Sequence, residues 1–177
     1  MATTSEAPTA AAAATHTTVR SSLGDLTVVA TGGAVTGLYF PHHWYLPDRL
    51  VFGEYRDTGF DDVRGQLEEY LAGQRLAFDL RVDAAGSAFQ QRVWQLISEI
   101  PYGSTVSYGE LASELGGGVT AQEVGAATGR NPVSIIIPCH RVVGANGGLT
   151  GYAGGLRRKR FLLDLEQDVA GRSARLF

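Results

Sequence analysis

Cysteine is scarce in this chain. Cys139 is the only one among 177 residues, which leaves no disulfide framework, no CxxC redox pair and no cysteine-rich zinc site. A lone thiol fits a reducing compartment. Long apolar runs are missing too, and with them any stretch that reads as a membrane helix. No Arg or Lys precedes Arg20, so the start, MATTSEAPTAAAAATHTT, has neither the basic n-region of a signal peptide nor the arginines of a transit peptide. These absences predict a cytoplasmic protein with a disordered Ala/Thr tail over residues 1–17. Excess charge of one sign is lacking as well. The net charge of −3 does not by itself suggest a nucleic-acid partner.

What is present falls into two halves. Six arginines stand against eleven acidic residues over 1–85, and nine basic against seven acidic residues over 86–177. The sign change hints at two domains with different partners. In the first half, LGDLTVVATGGAVTGLYF predicts two strands joined at Gly32-Gly33, with Leu26, Val28 and Ala30 alternating. DDVRGQLEEYL carries Val63, Leu67 and Tyr70/Leu71 at helical spacing, with Phe60 just ahead. LAFDLRV alternates Leu76, Phe78, Leu80 and Val82 as a further strand. A small antiparallel sheet with a helix on it, over residues 18–85, is the expected first domain.

The second half, 86–168, is helical and sharply punctuated. Ser87, Ser107 and Thr120 each precede a Gln or Glu by three places, the capping-box pattern of a helix start. The first helix runs from about Ser87 to Ile100 and buries Phe89, Val93, Ile97 and Ile100. The second covers Ser107 to Leu115 and stops at Gly116-Gly117-Gly118; the third begins at Thr120 and ends near Gly129. The pair reads as a helix-turn-helix or as an ordinary helical hairpin. The third helix has only Val124 as a sizeable apolar side chain, and its small residues suit a DNA groove or a close neighbour. A last helix starts near Leu156, with Phe161, Leu162 and Leu165 as its apolar face. Arg157, Arg158, Lys159 and Arg160 crowd its first turn, where the helix dipole disfavours cations and a phosphate backbone would welcome them. Residues 169–177 read as a tail.

Cys139 sits in IIIPCHRVVGANG. A buried cysteine is usually a small hydrophobe. Here Pro138 fixes the backbone before the thiol, and His140 and Arg141 put a base and a cation beside it, a setting that lowers a thiol's pKa. The local sequence leaves both a reactive and a structural thiol open.

FQQRVW, IPYGSTVSYGELA, NPVSIIIPCHRVVGANG and LTGYAGGLRRKRFLLDLE resemble, in order and spacing, the O6-alkylguanine-DNA alkyltransferases, or methylated-DNA–protein-cysteine methyltransferases. The resemblance runs from Val19 to about Glu166. It implies an N-terminal α/β domain followed by a mostly α winged-helix domain, acting as a monomer on double-stranded DNA that carries O6-alkylguanine, and on O4-alkylthymine. Cys139 would accept the alkyl group irreversibly, with no cofactor and no metal. His140 would draw the thiol proton through a water, Glu166 would hold that histidine, and Asn131 would brace the turn. Tyr108 and Lys159 match positions that help guanine leave. Tyr152 would lie along the base, the Ala153 amide would face O6, and the Val142 carbonyl would read the exocyclic amine. Thr120, Gln122, Arg130 and Arg157 fall at DNA-contacting positions. One departure stands out: Gln122, followed by Glu123, occupies the place of an arginine that fills the gap left by a flipped nucleotide. A related kind of protein senses alkylated bases without repairing them, but it has lost the cysteine that this chain keeps.

Overall fold

The structure, a computed structural model, describes residues 11–175. Strands β1 (Thr15–Val19), β2 (Leu26–Thr31), β3 (Ala34–Tyr39) and β4 (Glu54–Tyr55) form one sheet in the order β3-β2-β1-β4. The β2–β3 turn falls at Gly32-Gly33, both at positive φ, as the sequence predicts. The sheet is not wholly antiparallel, because β4 lies parallel to β1. Helix α1 (Asp61–Leu71) covers it through Val63, Leu67 and Tyr70.

Helices α2 (Ala88–Ser98), α3 (Tyr108–Leu115) and α4 (Ala121–Gly129) follow. All three predicted capping boxes are made: Ser87 with Gln90, Ser107 with Glu110 and Thr120 with Glu123. Two-residue strands β5 (Val106–Ser107) and β6 (Val142–Val143) pair in parallel beside them. Helix α5 (Leu156–Ala174) closes the chain. Among the described residues no helix is long and apolar enough to cross a membrane.

Several expectations need correction. Strand β1 starts at Thr15, inside the stretch read as tail, and residues 1–10 of that stretch lie outside the described residues. Helix α5 continues well past 168, because Val169 is buried and rests on Gly73, where an added Cβ would lie 2.8 Å from its Cγ2. LAFDLRV forms no strand. The Gln66 side chain takes both backbone groups of Asp79, N–H to Oε1 at 2.7 Å and Nε2 to the carbonyl at 3.0 Å, and only Val82 bridges to Val35. On α5 Leu162 is buried as expected, Leu165 is half-buried and Phe161 is exposed, and the helix also buries Leu163, Val169, Lys159 and Glu166. On α2, Trp94 is buried where Phe89 was expected, with its indole N–H on the Ala127 carbonyl at 2.9 Å.

The two halves share one hydrophobic core that runs from Leu26, Leu38 and Tyr70 to Val93, Leu111 and Leu162. The edge of β3 carries the connection to the site. Leu38 N–H donates to the Pro132 carbonyl, the Leu38 carbonyl accepts from Ser134, and Leu38 bridges Val133 in parallel. Arg158 stitches the halves from the other side: its guanidinium donates to the carbonyls of Leu23, Pro41 and Gly154 at 2.8, 3.1 and 2.9 Å.

Candidate active site

The apolar run before Cys139 is a chain of turns, not a strand. Ile135 sits at φ 70, a left-handed conformation that is strained for a β-branched residue and costs about 1–3 kcal/mol. Asn131 holds this turn from within. Its Oδ1 accepts from Val133 N–H at 2.9 Å, and its Nδ2 donates to the Ile137 carbonyl at 3.0 Å and to Cys139 Sγ at 3.1 Å. The bracing expected of Asn131 therefore reaches the sulfur itself.

Cys139 is 3% exposed, at the floor of a cleft of about 450 Å3. Burial pushes its thiol pKa up, against the Asn131 hydrogen bond and the Lys159 charge. This corrects the expectation that His140 and Arg141 lower it. Arg141 turns away from the sulfur and binds Glu166 through Nε to Oε2 and Nη2 to Oε1, each at 2.9 Å, with Nη1 on the Ile100 carbonyl at 2.6 Å. His140 also faces Glu166, with Nε2 at 2.8 Å from Oε1. A carboxylate only accepts, so Nε2 carries the hydrogen and Nδ1 keeps its lone pair. That Nδ1 is buried and has no protein partner among the described residues.

Glu166 gathers two further donors, the Gly103 amide on Oε2 at 3.0 Å and the Tyr70 hydroxyl on Oε1 at 2.5 Å. Burial alone would raise its pKa, yet the bonds from His140, Arg141 and Tyr70 hold it down to about 2. Burial in turn pushes the His140 imidazole down, opposed by its bond to Glu166 and the charge there. The pair is thus a carboxylate and a neutral imidazole, ready to take a proton at Nδ1.

The last turn supplies the rest. Lys159 is fully buried, and desolvation lowers its pKa to about 8. Its Nζ donates to the Val142 carbonyl at 2.6 Å, to Thr150 at 3.2 Å and to the Tyr108 hydroxyl at 3.5 Å. Tyr108 donates to the Thr150 carbonyl at 3.1 Å. The Val142 carbonyl expected to read a base is therefore one that Lys159 already touches. Tyr152 and Ala153 line the cleft with Cys139 and Tyr108. Of the four clustered cations, Arg158 and Lys159 point inward, and only Arg157 and Arg160 are exposed.

On the α4 side, Gln122, Ala121, Gly125 and Gly129 border the same cleft, which explains the small-residue face of α4. Thr120 is committed to the cap: its Oγ1 accepts from Glu123 N–H at 3.2 Å and donates to Glu123 Oε2 at 2.7 Å. Arg130 is exposed, its guanidinium 3.7 Å from the Tyr45 ring centroid. Sequence reasoning missed Tyr45 and Trp44, each 57% exposed at the cleft wall. It also missed Tyr70, read only as part of an apolar face, and the Arg141 clamp.

Comparison with known proteins bears on this geometry. Residues 88–168 match the family described as "6-O-methylguanine DNA methyltransferase, DNA binding domain", and residues 15–84 match "6-O-methylguanine DNA methyltransferase, ribonuclease-like domain". The chain is 45% identical over 163 residues to a Mycobacterium tuberculosis protein named methylated-DNA–protein-cysteine methyltransferase, covering 92% of this chain and 98% of that one. A protein of the same name from Methanosarcina acetivorans is 51% identical over 121 residues, 68% of this chain and 76% of the relative. Among solved structures, Mycobacterium tuberculosis OGT in complex with DNA superposes with a TM-score of 0.83 at 45% identity, over 88% of this chain and 94% of that one.

Proposed function

The chain belongs to the O6-methylguanine DNA methyltransferase family, and on that footing we propose that Cys139 takes an alkyl group from O6-alkylguanine in double-stranded DNA, once and irreversibly. The protein is a DNA-repair methyltransferase acting by direct transfer to its cysteine. The observation that carries the assignment to Cys139 is its environment: a buried sulfur facing a cleft, with Asn131 Nδ2 on it and the neutral His140 bound to ionised Glu166 next along the chain.

The chemistry follows. The thiol and the imidazole share no direct hydrogen bond, so the proton passes to His140 Nδ1 through solvent. Sulfur attacks the alkyl carbon, the S–C bond forms, and the C–O6 bond breaks with its electron pair on the base. The departing guanine takes up a proton from solvent and leaves as the neutral base, and His140 returns the thiol proton to solvent, so the protons balance. Asn131 steadies charge on sulfur as it develops, and Tyr108 and Lys159 stand where charge on the departing base is offset. The product is a thioether that neither water nor His140 cleaves. No turnover follows.

In this reading Tyr152 flanks the base, the Ala153 amide meets O6, and the protein works as a monomer. Gln122, Arg130 and Arg157 meet the DNA, with Thr120 capping the helix that carries Gln122. O6-benzylguanine tests the proposal directly. Intact mass should show one stable benzyl adduct, mapped to Cys139, and none on Cys139→Ala, which should still bind duplex DNA. Labelling of Cys139→Ala, or release of product without an adduct, would refute it.

A further inference from the structure

The hydrogen-bonded set around Glu166 and His140 comes from the second half of the chain, apart from Tyr70. Tyr70 belongs to α1, 96 residues from Glu166 in sequence, and its hydroxyl reaches the same carboxylate oxygen that binds His140. Tyr70 Oη is 2.5 Å from Glu166 Oε1 and 3.3 Å from His140 Nε2. The ring is fully buried, with Phe78 at 5.0 Å and Tyr102 at 6.0 Å between centroids. A core position at this point of α1 asks only for an aromatic ring. The hydroxyl has a second task.

We propose, building on the alkyl-transfer reading, that Tyr70 is a positioning residue of the proton relay: its hydroxyl fixes Glu166 and competes with His140 for Oε1, so the first half of the chain sets how strongly the imidazole draws the thiol proton. Oε1 accepts from Tyr70, from His140 Nε2 and from Arg141 Nη2. Each donor withdraws electron density that would otherwise stabilise an imidazolium. Arg141 also needs Oε2, which the Gly103 amide shares, so its geometry is fixed twice. Tyr70 touches Oε1 alone and is the adjustable member of the set.

The sign follows from the charges around His140. Cys139 and Arg141 flank it on its own turn, and Lys159 and Glu166 face it from α5. Tyr70 comes from α1, and Tyr102 and Tyr152 lie near the same carboxylate. Of the donors on Oε1, Tyr70 can lose its donating hydrogen with no change of formal charge. Tyr70→Phe keeps the ring packing, leaves more of the Glu166 charge to His140 and makes the imidazole more basic. The alkylation rate falls as pH drops through the His140 titration. In Tyr70→Phe the midpoint of that fall should therefore move to higher pH, by about half a unit or more.

The experiment is a pH series of single-turnover rates with O6-benzylguanine for wild type, Tyr70→Phe and a chain with difluorotyrosine at position 70. The fluorinated phenol is a stronger donor and should move the midpoint the opposite way. A histidine NMR titration, with His140 assigned by loss of its signal in His140→Gln, reads the same order without any reaction, even where a variant is less stable. Ordered shifts around wild type support the proposal. Parallel profiles that differ only in amplitude, or a downward shift in Tyr70→Phe, overturn it. If wild type forms no adduct at any pH, the alkyl-transfer reading fails first, and the NMR order then reports on the Tyr70 contact alone.

Discussion

Replacing Asn131 by alanine removes three hydrogen bonds with three different consequences. Val133 N–H has Oδ1 as its partner and is left buried and unpaired, at a cost of about 1–3 kcal/mol. The Ile137 carbonyl loses Nδ2 but keeps the Cys139 amide at 2.8 Å, so only about 0.5–1.5 kcal/mol goes there. Together the loss is roughly 2–4 kcal/mol, a fall in Tm of about 5–15 °C for a chain of this size. The third bond concerns the reaction. A donor 3.1 Å from sulfur strengthens as the sulfur gains charge, and a bond to a charged group is worth about 1.5–3 kcal/mol, or roughly ten- to more than a hundredfold in rate. Calorimetry gives the first quantity. Single-turnover alkylation by O6-benzylguanine, run well below the lowered Tm, gives the second. A variant melting within about 2 °C of wild type and reacting within about twofold would refute the bracing role, because neither the orphaned amide nor the lost donor could then matter.

Gln122 lies at the exposed start of α4, on the border of the cleft. An arginine there stacks in the gap of a flipped nucleotide and is drawn to phosphates, so Gln122→Arg should speed repair of duplex DNA and leave the reaction with free O6-alkylguanine unchanged; equal gains on both substrates would show that gap filling is not the reason. Glu166 should govern acid stability. Its pKa is held from about 4.5 down to about 2, so its contribution is present above the ordinary carboxylate range and is lost as pH falls toward 2. Urea midpoints of wild type should drop across that window, while Glu166→Gln, weaker at neutral pH, should show a flatter profile.

Local chemistry was the legible part of this sequence. A capping box spans four residues, and all three were readable because Ser87, Ser107 and Thr120 answer groups in their own first turns. The order of Cys139, His140 and Glu166, and the place of Asn131, were legible as a motif. Alternation in LAFDLRV misled, since it records side-chain polarity and not where the backbone bonds go; the Gln66 amide takes both backbone groups of Asp79. The basic cluster misled for geometric reasons. Four successive helical residues turn through about 100° each, so they cannot share a face, and Arg158 and Lys159 had to point inward. Tyr70 was invisible as a functional group because periodicity reports the ring and says nothing of a hydroxyl whose partner is 96 residues away.

Lys159 is the only lysine in the chain, and it has no exposed surface. The folded protein thus presents no side-chain amine to an acylating reagent. Acylation of this residue requires the start of α5 to open and Nζ to release the carbonyls of Val142 and Thr150. Its rate therefore measures local opening at one known place, as hydrogen exchange does for an amide. A compound that settles in the cleft against Tyr108 and Thr150, both partners of the Lys159 amine, should slow it, whether or not that compound can react with sulfur. The molecule carries its own single-residue gauge of pocket occupancy, read from the mass of the peptide that holds Lys159 and so kept apart from the α-amine.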